Sequence, residues 1–232
     1  GLEPLAEFNG KLDAMDAALV RLGDLCGESA AHSVARLRKQ LTDFEPSVTM
    51  IGQVKSGKTT LVNAMAGWSD LLPADVNPWT SVITSLHLSP EEKREATGAR
   101  FQFFDEDEWD RLVTKGGRLG ELADRASFGN ELETIRAQIE EMREKSRTRL
   151  GKKFELLLGQ THDYGYFDKN LVERYICLGD LFDEDPAAQR KDSLGRFADI
   201  TKSADLYLNS DTLPSKLCIR DTPGVNDTFM MR

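Results

Sequence analysis

The sequence predicts an α/β fold, a sheet flanked by helices, and three observations carry that prediction. Gly52-Gln53-Val54-Lys55-Ser56-Gly57-Lys58-Thr59 fits the pattern GxxxxGK[ST] and lies between a β-prone run, Val48-Thr49-Met50-Ile51, and a run that opens a helix, Thr60-Leu61-Val62-Asn63-Ala64-Met65-Ala66. Asp221-Thr222-Pro223-Gly224 follows a second apolar run, Lys216-Leu217-Cys218-Ile219-Arg220. Helical periodicity fills the first 45 residues and returns between Asp105 and about Leu158.

Taken in order, Leu5, Phe8, Leu12, Met15, Leu19 and Leu22 recur three or four apart until Gly23 and Gly27 interrupt them. A second helix is expected from about Ser29, with Val34, Leu37 and Leu41 on one side and Pro46 just beyond it. Residues 1–45 thus read as an N-terminal helical segment and residues 46–232 as the domain proper. After the helix that follows the glycine loop, residues 71–80 form a loop rich in Pro and Asp. Ser81 to Leu88 and Arg100 to Phe104 have strand composition. The stretch from Asp105 to about Leu158 is mainly helical, broken at Gly116-Gly117 and around Ser127-Phe128-Gly129-Asn130. Ala204 to Leu208 and Lys216 to Arg220 alternate with period two around Asn209 to Pro214, which reads as two strands joined by a turn.

Within the helical part, Leu132, Ile135, Ile139 and Met142 make a stripe shorter than three heptads, suited to packing on the same chain. Arg143, Lys145, Arg147, Arg149, Lys152 and Lys153 read as a solvated basic face. A net charge of −9 argues against a dedicated nucleic-acid surface. No apolar run approaches the roughly 18 residues of a membrane span, and no signal peptide is visible. Cys26, Cys177 and Cys218 are odd in number and far apart, and His32, His87 and His162 lack ligand spacing. Neither a disulfide framework nor a zinc site is expected, and reduced thiols in a cytosolic protein are.

The chemistry of the first motif follows from its context. Between a strand and a helix, the loop's N–H groups and the helix N-terminus surround a polyphosphate, Lys58 reaches its terminal oxygens and the Thr59 hydroxyl suits Mg²⁺. Gly52, Ser56, Gly57, Lys58, Thr59 and Thr60 are therefore the candidate nucleotide contacts. A chance match of this pattern arises in roughly one chain in a hundred of this length, and the flanking strand and helix lower that rate. Asp221, at the end of an apolar strand, suits a carboxylate that holds Mg²⁺ through water, with the Gly224 N–H toward the γ-phosphate. Between the two motifs, a threonine should close over Mg²⁺; Thr80, at the end of the Pro-flanked loop, is preferred to Thr84 within the following strand.

GQVKSGKTT, LLPADVNPWTSVIT and IRDTPGVNDT together resemble the dynamin superfamily of large GTPases, in particular its bacterial dynamin-like members. The resemblance implies a P-loop GTPase-type domain that uses GTP and Mg²⁺, forms nucleotide-dependent homo-oligomers, and works in the cytoplasm at membranes through regions absent here. The sequence departs from that family in two places. The span from Thr80 to Asp221 is long, so a helical insertion is expected over 89–203. A base-reading [NT]KxD motif should follow Gly224, yet the chain ends at Arg232, so a sheet incomplete at its C-terminus is expected. Thr201-Lys202-Ser203-Ala204-Asp205 and Asn9-Gly10-Lys11-Leu12-Asp13 have the wrong spacing for that role.

Val225 stands where small GTPases place a water-orienting Gln, so catalysis must draw on other groups. Lys55, Gln53 and Thr80 are the candidates. A cation at the position of Lys55 recurs in several branches of the resembled superfamily, as a built-in counterpart of an arginine finger; the alternative is a solvent-facing loop lysine. Three functions stay open: an Mg²⁺-dependent GTPase coupling nucleotide state to self-assembly and membrane remodelling, a P-loop ATPase or small-molecule kinase, and a weakly hydrolysing nucleotide-binding scaffold.

Overall fold

The structure is a computed structural model that describes residues 3–53, 56–72, 82–90, 96–115, 129–177 and 195–222. Its first two elements are α1 (Glu3–Cys26) and α2 (Glu28–Asp43). They lie antiparallel, since Phe8 meets Phe44 with ring centroids 5.7 Å apart, Arg38 donates two hydrogen bonds to Asp16, and Val34 packs on Gly23. Only Gly27 turns the chain, at φ 62°; Gly23 stays within α1, where its lack of a side chain admits Val34. The helix expected to break at Gly23 therefore runs on to Cys26.

A six-stranded sheet follows, with strands β1 (Ser47–Met50), β2 (Ile83–Pro90), β3 (Gly98–Phe103), β4 (Thr161–Tyr164), β5 (Thr201–Ser210) and β6 (Leu217–Asp221). Their spatial order is β1-β6-β2-β5-β3-β4. β6 runs parallel to β1 and antiparallel to β2, β2 runs parallel to β5, and β3 is antiparallel to both β5 and β4. β5 and β6, the two strands expected on either side of a turn, are both present, but they are not sheet neighbours. β2 lies between them, because period-two alternation assigns a strand's faces and leaves its partner to the rest of the chain.

The helices are α3 (Lys58–Ala66), α4 (Glu106–Lys115), α5 (Gly129–Leu150), the single turn α6 (Phe154–Leu157) and α7 (Lys169–Ile176). The span 89–203 carries the expected helices, and it also supplies β3, β4 and the first residues of β5 to the common sheet. The described strands of this span are thus woven into the sheet.

Leu86, Phe101, Leu206 and Ile219 are completely buried along the strands, and Val62 joins them from α3. Tyr175 of α7 stacks on Phe101 with centroids 3.9 Å apart, while its hydroxyl meets His162 Nδ1 at 2.6 Å and Tyr164 Oη at 2.7 Å. Trp109 pins α4 against Phe104 and Phe154. The basic cluster at the end of α5 is mostly neutralised within the chain: Arg143 pairs with Asp110, Lys145 with Glu141, Arg147 with Glu144 and Arg149 with the buried Asp199. Asp199 also accepts a 2.6 Å bond from the buried Ser146 hydroxyl. The side chains of the 132–142 stripe lie outside the described residues. No helix among the described residues is long and apolar enough to cross a membrane.

Candidate functional site

β1 and β6 set the geometry of the site. Their parallel register places Met50 opposite Asp221, so the loop leaving β1 and the carboxylate closing β6 emerge side by side at the same end of the sheet. Open α/β sheets bind ligands beyond the carboxyl ends of their strands. The hydroxyl of Thr222 donates to the Met50 carbonyl and ties the two strand ends together.

Two glycines shape the loop. Gly57 precedes α3 at φ 85°, a left-handed conformation that other L-residues adopt at a cost. A side chain on Gly52 would come within 3.0 Å of Ser56 Oγ and 3.5 Å of Lys58 Cδ, so the lysine stem occupies the space that glycine leaves. Lys58 Nζ donates to the carbonyls of Gly52 at 3.1 Å and Gln53 at 2.6 Å, which holds the ammonium over the loop. α3 begins at Lys58, and the first N–H groups of a helix lack intrahelical partners and carry partial positive charge.

Thr59 Oγ1 donates to Asp221 Oδ2 at 2.7 Å. The other carboxylate oxygen, Oδ1, is buried and accepts no hydrogen bond among the described residues. Burial raises the Asp221 pKa, opposed by the Thr59 hydrogen bond and the Lys58 charge. A desolvated carboxylate with one unsatisfied oxygen, beside a hydroxyl, is a hard-oxygen donor set that fits Mg²⁺.

The structure brings Gly52, Gln53, Ser56, Gly57, Lys58, Thr59 and Asp221 together, with Thr60 exposed on the first turn of α3. Gln53 contributes its carbonyl to Lys58. Lys55, Thr80, Gly224 and Val225 lie outside the described residues. Thr84 is buried in β2, in register with Asp221. Two supporting residues escaped sequence reasoning. Asn63 exchanges two side-chain hydrogen bonds with the backbone of Leu72, at 2.8 and 3.0 Å, and so fixes where the chain leaves α3 for the following loop. An Asn inside a short helix, where its propensity is poor, was the available signal. Thr222 sat in plain view within its motif but was read only as part of the turn.

A glycine loop under a lysine joins the first strand to a helix, and a buried carboxylate closes the adjacent parallel strand, all within a mixed α/β protein whose six-stranded sheet is flanked by helices. The model of the dynamin family matches residues 48–229, most of the chain, and the chain belongs to that family. It is 34% identical over 86 residues to a bacterial dynamin-like protein of Nostoc punctiforme, a match taking in 33% of this chain and 12% of that protein. It is 52% identical over 70 residues to an uncharacterized protein in the xynA 3′ region of a Caldicellulosiruptor species, over 30% of this chain and 17% of that one.

Among solved structures, two chains of an oligomerised bacterial dynamin pair, described as a mechanism for long-range sensing and tethering of membranes, share the fold at a TM-score of 0.52. Their identities are 16% and 18%; the matches cover 98% and 97% of this chain, and 25% and 30% of those. The chain therefore spans less than a third of each of these relatives.

Proposed function

We propose that this chain is the GTP-binding and GTP-hydrolysing part of a dynamin-like protein that couples nucleotide state to self-association and membrane remodelling. The Thr59–Asp221 contact carries the reading, because it joins the glycine loop to a buried carboxylate with one oxygen unpartnered among the described residues.

In this reading the loop N–H groups and the start of α3 hold the phosphates, while Lys58 leaves its loop carbonyls to neutralise the terminal oxygens. Thr59, Asp221 and Thr80 would hold Mg²⁺, which would supply neutralisation of the phosphate charge. Gly224 donates its N–H to the γ-phosphate. Gln53 and Thr80 position the attacking water, and Lys55 faces the charge that develops on the transferred phosphoryl group. Family membership and likeness to an oligomerised dynamin pair support homo-oligomerisation. Membrane contact is assigned to parts of the protein beyond this chain, with a cytoplasmic location and no nucleic-acid partner.

Competition of a labelled GTP analogue by unlabelled GTP and ATP, with Mg²⁺ and on the full-length protein, tests the reading. Preferential displacement by GTP is expected. Equal displacement by ATP favours the ATPase or kinase reading.

A further inference from the structure

At the opposite ends of the two strands that carry the phosphate site, a second set of ligand-type side chains converges. Glu45 lies just ahead of β1, His87 lies in β2 and Cys218 is the second residue of β6. The β2–β6 register sets His87 opposite Cys218, and the Cys218 N–H donates to the Pro46 carbonyl at 2.8 Å, which brings Glu45 beside both. One ligand atom from each of the three residues lies within 4.8 Å of the other two. His87 Nδ1 is 2.7 Å from Glu45 Oε2, and Nε2 is 3.3 Å from Asp205 Oδ1 on β5. The ring stacks on Tyr207 at a centroid distance of 4.7 Å, which leaves it little freedom to turn. Cys218 is buried, whereas the side chains of His87 and Glu45 are 20% and 23% exposed.

We propose that Glu45, His87 and Cys218 bind a borderline-soft divalent transition metal of the zinc class, with Asp205 orienting the imidazole. The donor set selects the class: Mg²⁺ and Ca²⁺ take oxygen, whereas one thiolate, one imidazole and one carboxylate suit Zn²⁺. Asp205 strengthens the assignment, because a carboxylate on one ring nitrogen fixes the tautomer and leaves the other for the metal. Zn²⁺ bonds of about 2.0–2.3 Å place tetrahedral donors roughly 3.5 Å apart, so the thiol draws in and the Glu45–His87 pair opens by about an ångström. The partial exposure of Glu45 and His87 leaves a fourth position for water.

Protons compete for these ligands. Burial lowers the His87 pKa, but hydrogen bonds to Asp205 and Glu45 raise it further, to about 9. Burial and Glu45 raise the Cys218 thiol, and a hydrogen bond from Arg220 opposes them. Cys218 and Asp221 are three residue steps apart along the strand, roughly 10 Å, so this centre is distinct from the phosphate site in place as well as in donor chemistry.

The test loads the chain with Zn²⁺ or Co²⁺, measures metal content after gel filtration, and titrates a chromophoric chelator against it. One metal per chain and a thiolate-to-cobalt charge-transfer band are expected. Cys218→Ser should abolish the band and weaken Zn²⁺ binding at least a hundredfold, whereas Asp205→Asn should keep the band and cost about 10- to 100-fold. Cys26→Ser, which removes the exposed thiol, should change neither. Because Cys218 belongs to the core, the part-exposed Glu45→Gln serves as a second variant, expected to fold and to bind more weakly. Absence of stoichiometric metal, wild-type affinity in both Cys218→Ser and Glu45→Gln, or loss of the band in Cys26→Ser would each overturn the proposal and leave Glu45, His87 and Asp205 as an ionic clasp between strands.

Discussion

Thr59 and Asp221, 162 positions apart, share a 2.7 Å hydrogen bond, and the second oxygen of the carboxylate is buried without a hydrogen-bond partner among the described residues. The pair can hold a cation only if that oxygen remains charged. Asp221→Asn keeps an oxygen for the Thr59 hydroxyl and removes the charge. GTP affinity measured with Mg²⁺ is expected to fall by about tenfold or more, whereas affinity in EDTA should change little. Equal losses in both conditions would assign Asp221 to loop architecture alone.

Lys58→Ala removes the ammonium that the Gly52 and Gln53 carbonyls hold over the loop. Calorimetric titration with a non-hydrolysable GTP analogue should show affinity lowered by roughly a hundredfold or more, since a charge-assisted contact to phosphate contributes about 1.5–3 kcal/mol and two oxygens are served. Unchanged affinity would remove the loop from the nucleotide site.

For Lys55 the expected signature is kinetic. Lys55→Ala in the full-length enzyme should lower kcat by one or more orders of magnitude, against roughly 10³- to 10⁵-fold for an arginine in that role, with little change in GTP affinity. Single-turnover hydrolysis over a series of protein concentrations measures both this and the rise in rate per site that dimerisation would produce. A mutant as fast as wild type would make Lys55 a solvent-facing lysine and move the search to Gln53 and Thr80.

His162 makes stability depend on pH. Burial lowers its pKa, so the folded chain holds the ring neutral while the unfolded chain takes up a proton near 6.5. The resulting stability is present above pH 6.5 and is lost as pH falls through the depressed folded value. His87 acts in another window: raised to about 9, it is protonated in both states below pH 6.5 and loses its contribution only as pH climbs toward 9. Urea unfolding at pH 7.5, 6.5 and 5.5 should therefore show His162→Phe losing less stability on acidification than wild type, by a small margin because the ring is partly exposed. Parallel slopes would mean that His162 titrates alike in both states.

Local order was readable in the sequence and long-range order was not. The glycine loop, the strand before it, the helix after it and the strand ahead of Asp221 announce themselves within a dozen residues, and the structure has both strands and the helix. β4 went unseen because Thr161-His162-Asp163-Tyr164 is short and polar for a strand. α7 carried an unread signal: Asp168 caps it by accepting from the Asn170 N–H, and Leu171, Val172, Tyr175 and Ile176 form a helical stripe. Partnership in the sheet is where the reading stopped, since the place of β2 between β5 and β6 depends on contacts across more than a hundred residues. The same blindness hid Glu45, His87 and Cys218, whose spacing matches no metal motif and which only the sheet assembles.

That position of β2 also governs how the chain can be made. Both neighbours of β2 come from residues 201–221, so during synthesis Leu86 and Leu88 leave the ribosome long before anything exists to cover their strand edges. Closing so large a loop is slow, and until it closes the nascent chain offers an open apolar ribbon to any other strand it meets.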